Sequence, residues 1–410
     1  MPQYSIRRLS LARREAWPAE LGEAHRAQVE IVYEQCRRHS WTLKLIACAA
    51  PIPAELVEAL SSRGIACWLA TSTSAYLFSE IGALEDLSRQ RSFSNLHEEI
   101  FISELLGFLE LQQRDLFMLQ SPTCRLEAGR KTRVMGILNC TPDSFSDGGR
   151  YFEKQAAIAQ GLRLAEQGAD IIDVGGESTR PAGTYGEGAQ PISEAEEMER
   201  VIPVIETLAQ SVPTMISIDT YKASVAEAAI RAGAGMVNDI SGFQFDPRMA
   251  EVVSRYRVPA IVMHIKGTPR DMQQNPHYEN LMDELYQYFE RRLERARDAG
   301  VPRERLVLDP GLGFGKRLQD NYEILRRLEE FRGLGCPVMV GPSRKSFIGK
   351  VLNLPVEQRH EGTAAAVALA VAHGAHLVRV HDVKEMQRVA RIAEMIAGRT
   401  TPETAGGAHE

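Results

Sequence analysis

Cysteine is scarce in this 410-residue sequence, and there is no excess of basic residues. The six cysteines, Cys36, Cys48, Cys67, Cys124, Cys140 and Cys336, include no C-x-x-C pair. They read as small packed thiols in a reducing compartment rather than as a disulfide framework. Cys140 has no His near it in sequence to act as a base, so it reads as a small residue at a strand end. A net charge of -6 provides no general field for nucleic acid or an anionic membrane, so any anion site must be built locally, for a small ligand. No signal peptide and no apolar run of membrane length is present, and the expected location is the cytoplasm. What remains, 44% hydrophobic and 25% charged, is an ordinary globular chain with one large core and a second small one.

Residues 1–112 read as a small α/β domain. The apolar runs TLKLIACA (42–49) and GIACWLAT (64–71) flank the helical pattern PAELVEALSSR, and the stretches SAYLFSEIGALEDLSRQ and NLHEEIFISELLGFLELQQ follow as helices. Residues 113–132 read as a hairpin linker, because DLFMLQ and CRLEAG are short extended runs separated by a polar turn. From residue 133 to 399, β-branched runs alternate with amphipathic helical segments. The strand candidates are RVMGILN, DIIDVG, TMISID, GMVNDI, VPAIVMHI, RLVLDP, CPVMVG and HLVRVH. Their nearly unbroken apolar character predicts a parallel sheet covered on both faces. Eight βα units in about 265 residues predict a closed (β/α)8 barrel. An open doubly wound sheet is the alternative, but G-x-G-x-x-G is missing after the first strand. The tail, 400–410, is expected to be disordered.

In such a barrel the C-terminal strand ends converge on one mouth. Polar residues stand at nearly every one: Asn139, Asp173, Asp219, Asn238 with Asp239, His264, Asp309, Ser343 with Arg344 and Lys345, and Arg379 with His381. One alone would be a cap or turn former, but eight consecutive strand ends point to a site. Asn139, Arg379 and His381 come from strands one and eight and suit a metal-assisted phosphate site. Asp219, Asn238, Asp309 and Lys345 suit the donor and acceptor edge of a flat heterocycle, with Met263 packing on its face. His264 reads as a hydrogen-bonded wall residue. The loop DPGLGFGK (309–316) lacks phosphate-loop spacing and reads as close backbone approach to a ligand. The long Gly-rich connection 175–193 reads as a lid, as does the segment after Asn139.

The motifs MGILNCTPDSFSDGG, DIIDVGGESTRP, SIDTYK, VNDISG, LDPGLGFGK, GPSRKSFIG and RVHDV, in this order, resemble the dihydropteroate synthase family of pterin-binding barrels. The resemblance runs from about residue 116 to 398 and leaves out roughly the first hundred residues. It implies condensation of 6-hydroxymethyl-7,8-dihydropterin diphosphate with p-aminobenzoate, with Mg2+ held by Asn139 and the diphosphate by Arg379 and His381. It also implies pterin contacts from Asp219, Asn238, Asp309 and Lys345 with Thr179 nearby, and an aminobenzoate site framed by Phe145, Arg180, Pro181 and Ser343. Phe314 joins the substrate-contacting set, and a homodimer through the last helices is implied. Departures from the family pattern fall in loops: the extra AGTYGEGAQ after Pro181, Leu312 in the glycine loop, and Ile265 with Lys266. Two alternatives are a methyltetrahydrofolate-type pterin methyltransferase, which needs no diphosphate site, and a catalytically silent pterin-binding scaffold.

Overall fold

The computed structural model describes residues 4–8, 41–47, 51–72, 74–79, 81–89, 96–141, 150–178 and 190–400. The chain divides into two compact units, Met1–Arg114 with Glu329–Gly335, and Asp115–Leu328 with Cys336–Glu410.

The first unit is built on a four-stranded antiparallel sheet. Strands β1 (Tyr4–Arg8), β2 (Trp41–Ala47), β3 (Ala66–Thr71) and β4 (Ser74–Ser79) lie in the order β1-β2-β4-β3. Helices α1 (Ala54–Ser62), α2 (Ile81–Ser88) and α3 (Leu96–Gln112) accompany it, and Leu43, Leu56, Leu60, Leu77, Phe101 and Leu105 share its core. The stretch from Ser74, expected to be helical, begins as β4. It is a central strand with Ala75, Tyr76, Leu77 and Phe78 all buried, and a short, wholly apolar run of this kind carries neither period. The unit is completed from far along the chain: the Arg7 guanidinium donates to the Glu330 carboxylate at 2.8 Å, both side chains buried.

The second unit is the expected barrel. Strands β7 (Arg133–Asn139), β8 (Ile171–Gly175), β9 (Met215–Asp219), β10 (Met236–Asp239), β11 (Ala260–Met263), β12 (Leu306–Asp309), β13 (Met339–Val340) and β14 (Leu377–Val380) pair in parallel, in the order β12-β11-β10-β9-β8-β7-β14-β13. A parallel bridge between Leu308 and Val338 closes the ring. The crossover helices include α4 (Arg150–Glu166), α5 (Glu194–Ser211), α6 (Ala223–Arg231), α7 (Met249–Tyr256), α8 (Leu281–Asp298), α9 (Leu318–Arg326), α10 (Ser346–Leu352), α11 (His360–Ala372) and α12 (Val383–Ile396). Two of them start on side-chain caps: Ser193 accepts from the Glu196 amide and Asn280 from the Asp283 amide. NYEILRRLEEFRGL, expected as one helix, ends as α9 at Arg326 and continues as a 3-10 helix, Leu328–Leu334. Most of that 3-10 helix belongs to the first unit.

The hairpin of β5 (Phe117–Gln120) and β6 (Arg125–Ala128) is part of the barrel unit rather than a linker. Phe117, Leu119 and Ala128 pack against Met135, Ile171, Met215, Met236, Ile261, Val307, Met339 and Leu377, one residue from the N-terminal part of each strand. The hairpin is therefore the floor of the barrel, and polar residues are left to the opposite end. Leu119 is fully buried there, so Leu119→Ala should lower the unfolding free energy by about 2–5 kcal/mol. Denaturant titration should record that loss, with the activity per folded molecule preserved.

Candidate active site

Strand register fixes which polar residues meet. Asp219 on β9 is the Cα partner of Asn238 on β10, and Asp309 on β12 is the partner of Met263 on β11. Strand β14 closes onto β7 with Val380 opposite Gly136, which brings the strands carrying Asn139 and His381 side by side. The centre of the cluster is Arg379. Its Nε donates to Asp173 Oδ2 at 2.6 Å and a terminal amine donates to Asp219 Oδ2 at 2.7 Å. Asn238 Nδ2 donates to the same Asp173 oxygen at 2.9 Å. The sorting of Arg379 with the phosphate group alone is thus too simple, because its guanidinium is shared with the carboxylates of the heterocycle set. Asp173, in sequence one of the strand-end polar residues, is the hub that joins Arg379 to Asn238. It is fully buried, and its Oδ1 has no hydrogen-bond partner among the described residues. An orphaned buried carboxylate oxygen facing polar neighbours is what a ligand's N–H would satisfy.

Burial sets the electrostatics. It pushes Asp219 up to about 7, against the pull of Arg379 and with the help of Asp173. Asp309 is also raised by burial, opposed by the Gly311 amide and Lys345. Lys345 is pushed down to about 8 by burial, with Asp309 opposing. Burial works against the Arg379 charge, but Asp173 and Asp219 outweigh it and hold its pKa above the ordinary value. The mouth is a compact set of mutually dependent charges poised near neutrality, which is characteristic of functional sites.

The glycine loop forms one wall. Gly311, Gly313 and Gly315 all have left-handed φ angles, and a Cβ on Gly311 would collide with the His264 carbonyl. Asp309 Oδ1 accepts from the Gly311 amide at 2.8 Å. Lys345 Nζ donates to the Leu312 carbonyl at 2.5 Å and lies 4.2 Å from the Phe314 ring centroid. Met263 and Phe314 belong to one apolar cluster with Ile240, Ile265 and Met272. On the next strand Ser343 Oγ and His381 Nδ1 are 2.9 Å apart. Arg344 pairs with Asp382 at 2.6 Å. Asn139, half-buried at the end of β7, stands opposite Gly175. Phe145, Thr179, Arg180 and Pro181 lie outside the described residues, as do the central parts of the two expected lids, 142–149 and 179–189.

Among the described residues no group of three or more His, Cys, Asp and Glu could hold a metal ion. A single amide oxygen at Asn139 fits Mg2+ that arrives with substrate phosphates and keeps its waters, not an ion caged by protein alone.

Comparison with known proteins decides what this mouth belongs to. Residues 135–381 match the family model described as pterin binding enzyme. The chain is 48% identical over 269 residues to the dihydropteroate synthase of Synechocystis sp., covering 65% of this chain and 91% of that protein. It is 44% identical over 261 residues to that of Escherichia coli, covering 64% and 90%. The chain belongs to the dihydropteroate synthase family. Among solved structures, the Yersinia pestis dihydropteroate synthase with a sulfonamide drug complex superposes with a TM-score of 0.64 at 41% identity, covering 69% of this chain and all of that one. The Xanthomonas albilineans dihydropteroate synthase in complex with 7,8-dihydropteroate gives 0.61 at 39% identity, with 70% and 100% covered. The synthase relatives set aside the methyltransferase alternative. The family match begins at residue 135, beyond the sequence-contiguous part of the first unit.

Proposed function

We infer that the barrel mouth joins 6-hydroxymethyl-7,8-dihydropterin diphosphate to p-aminobenzoate, giving 7,8-dihydropteroate and pyrophosphate. The observation that carries the reading is the Asp173–Arg379–Asp219 cluster, with Asn238, Asp309 and Lys345 around it, at the mouth of a barrel in this family. Asp219, Asn238 and Asp309 offer oxygen acceptors to the amino and N–H edge of a pterin, and Lys345 offers a donor to its carbonyl edge.

In the reaction the bond from the pterin methylene to the diphosphate oxygen breaks, and a bond to the aryl amine nitrogen forms as that nitrogen loses a proton. The methylene gains cationic character while diphosphate leaves, so Asp219 and Asp309 stabilise the ring side and Arg379 and His381 the leaving oxygens. Arg379 touches the ring-side carboxylates Asp173 and Asp219, and in this reading it links ring binding to departure. Ser343 orients the His381 imidazole through their hydrogen bond. Asn139 would hold Mg2+ arriving with the diphosphate, and the ion would supply neutralisation of leaving-group charge. The amine is a competent nucleophile toward such a carbon, so no strong general base is required. Mass-spectrometric detection of 7,8-dihydropteroate from the two substrates, inhibited by a sulfonamide competing with p-aminobenzoate, is the expected result. Absence of product from folded protein would remove the reading.

The reading includes small-molecule substrates, a cytoplasmic location and a homodimer. Among the described residues no helix is long and apolar enough to cross a membrane. Leu369 on α11 and Ile392 and Ile396 on α12 are more than half exposed, and such an apolar face on the last two helices suits a second copy of the chain. Ile392→Glu should shift the protein to monomers, as read by light scattering, whereas an unchanged mass would remove this face from the interface.

A further inference from the structure

We propose that Lys316 is a positioning residue for this reaction: by gripping two carbonyls of the glycine loop from below, it sets the place of Lys345 in the substrate pocket. The proposal rests on the synthase reading for the identity of the ligand, but its geometry stands independently. The Lys316 side chain is buried, with 3% of the residue exposed. Its Nζ lies 2.9 Å from His264 Nδ1, and donates to the Gly311 carbonyl at 3.2 Å and the Phe314 carbonyl at 2.9 Å. Those three neighbours occupy all three hydrogen-bonding directions of a lysine nitrogen, and none is a carboxylate.

A buried lysine that no carboxylate touches is costly to retain unless it organises its surroundings. Here the two carbonyls bracket Leu312, and the Leu312 carbonyl is the acceptor for Lys345 Nζ. Lys316 therefore holds the segment that holds Lys345. Other fastenings fix the same loop at different points: Asn321 Oδ1 accepts from the Gly313 amide at 2.7 Å, and Tyr278 donates to the Gly315 carbonyl at 2.6 Å. On its far side His264 packs edge-on against Tyr288, with ring centroids 4.6 Å apart. The Tyr288 hydroxyl reaches the Met263 carbonyl at 2.8 Å, so the clamp extends to the Met263 wall of the pocket.

Burial pushes the Lys316 pKa down to about 7, with Asp309 opposing, yet the grip does not depend on the proton count. As an ammonium, Lys316 donates to both carbonyls and to His264. As a neutral amine, it still donates to both carbonyls and accepts from a His264 Nδ1–H. The carbonyl contacts are common to the two states, and so is the position they give Lys345.

The test is binding of a pterin lacking the diphosphate, 6-hydroxymethylpterin, to the full-length protein by calorimetry, with melting curves verifying the fold. Lys316→Met should weaken binding about tenfold or more, the effect of one lost charge-assisted hydrogen bond. In a Lys345→Met background the same substitution should cost less than about twofold, because the group it positions is gone. Lys316→Gln, which keeps two N–H donors, serves if the Met variant does not fold, and should lose less. Binding as tight as wild type in the folded variant, an equal loss in both backgrounds, or failure of both variants to fold would each overturn the proposal. Failure of the wild-type protein to bind the pterin would instead remove the synthase reading.

Discussion

Replacing Arg379 with methionine should abolish turnover and destabilise the barrel in a pH-dependent way. The guanidinium lies between Asp173 and Asp219 at 2.6 and 2.7 Å, and removing one partner of a buried ionic cluster costs about 3–5 kcal/mol. Loss of a donor aimed at developing charge should lower kcat by at least about 10²-fold. The pH dependence follows from Asp219, which burial raises to about 7 even with Arg379 opposing. An unfolded Asp titrates near about 4, so between these values the native state binds the extra proton and stability falls as pH rises. That contribution is complete below about 4 and lost above about 7. Without Arg379 the carboxyl rises further, so the window widens upward and the loss at high pH grows. Melting curves should place Arg379→Met nearest to wild type at about pH 5 and far below it at about pH 8. A uniform offset at both pH values would contradict the shared-guanidinium account.

Lys345→Met should lose catalysis without losing stability. Lys345 Nζ is held by the Leu312 carbonyl and the face of Phe314, where it can donate to a ring in the pocket. Its removal should lower kcat/KM by about 10²–10³-fold. The same burial that gives it a pKa of about 8 disfavours its charge in the folded state, since unfolded lysine titrates near about 10.4. The native state then binds fewer protons between these values, and this unfavourable contribution is relieved only as pH rises through them. At neutral pH the methionine variant should therefore melt at or above the wild-type temperature, as substitutions at strained functional positions often do. A folded variant of reduced stability and intact turnover would place Lys345 in the framework instead of the site.

Together these variants separate what the sequence discloses from what only the fold assembles. The eight barrel strands were legible because short apolar runs recur between amphipathic helices, and each ran within a few residues of its expected span. Polar residues at successive strand ends disclosed the mouth. The Asp173–Arg379 pair is not visible in sequence, because its members are 206 positions apart and an Asp near the glycines that end β8 looks like any turn former. The Lys316–His264 contact was hidden for the same reason, across 52 positions. SAYLFS reads as helix in sequence because a buried strand with two covered faces has no alternation. Glu330 reads as a residue on an amphipathic helix, whereas it is the buried carboxylate facing Arg7. Local pattern fixes which element forms, while charge pairing between distant segments appears only once register and closure are set.

Pyrophosphate release by the full-length protein, given pterin diphosphate, p-aminobenzoate and Mg2+, tests the central reading most directly when set against Asn139→Ala and Lys345→Met. The account predicts release matched one-to-one by dihydropteroate in the wild type, and a rate at least about 10²-fold lower in each folded variant. Wild-type release no faster than that of the variants would contradict it.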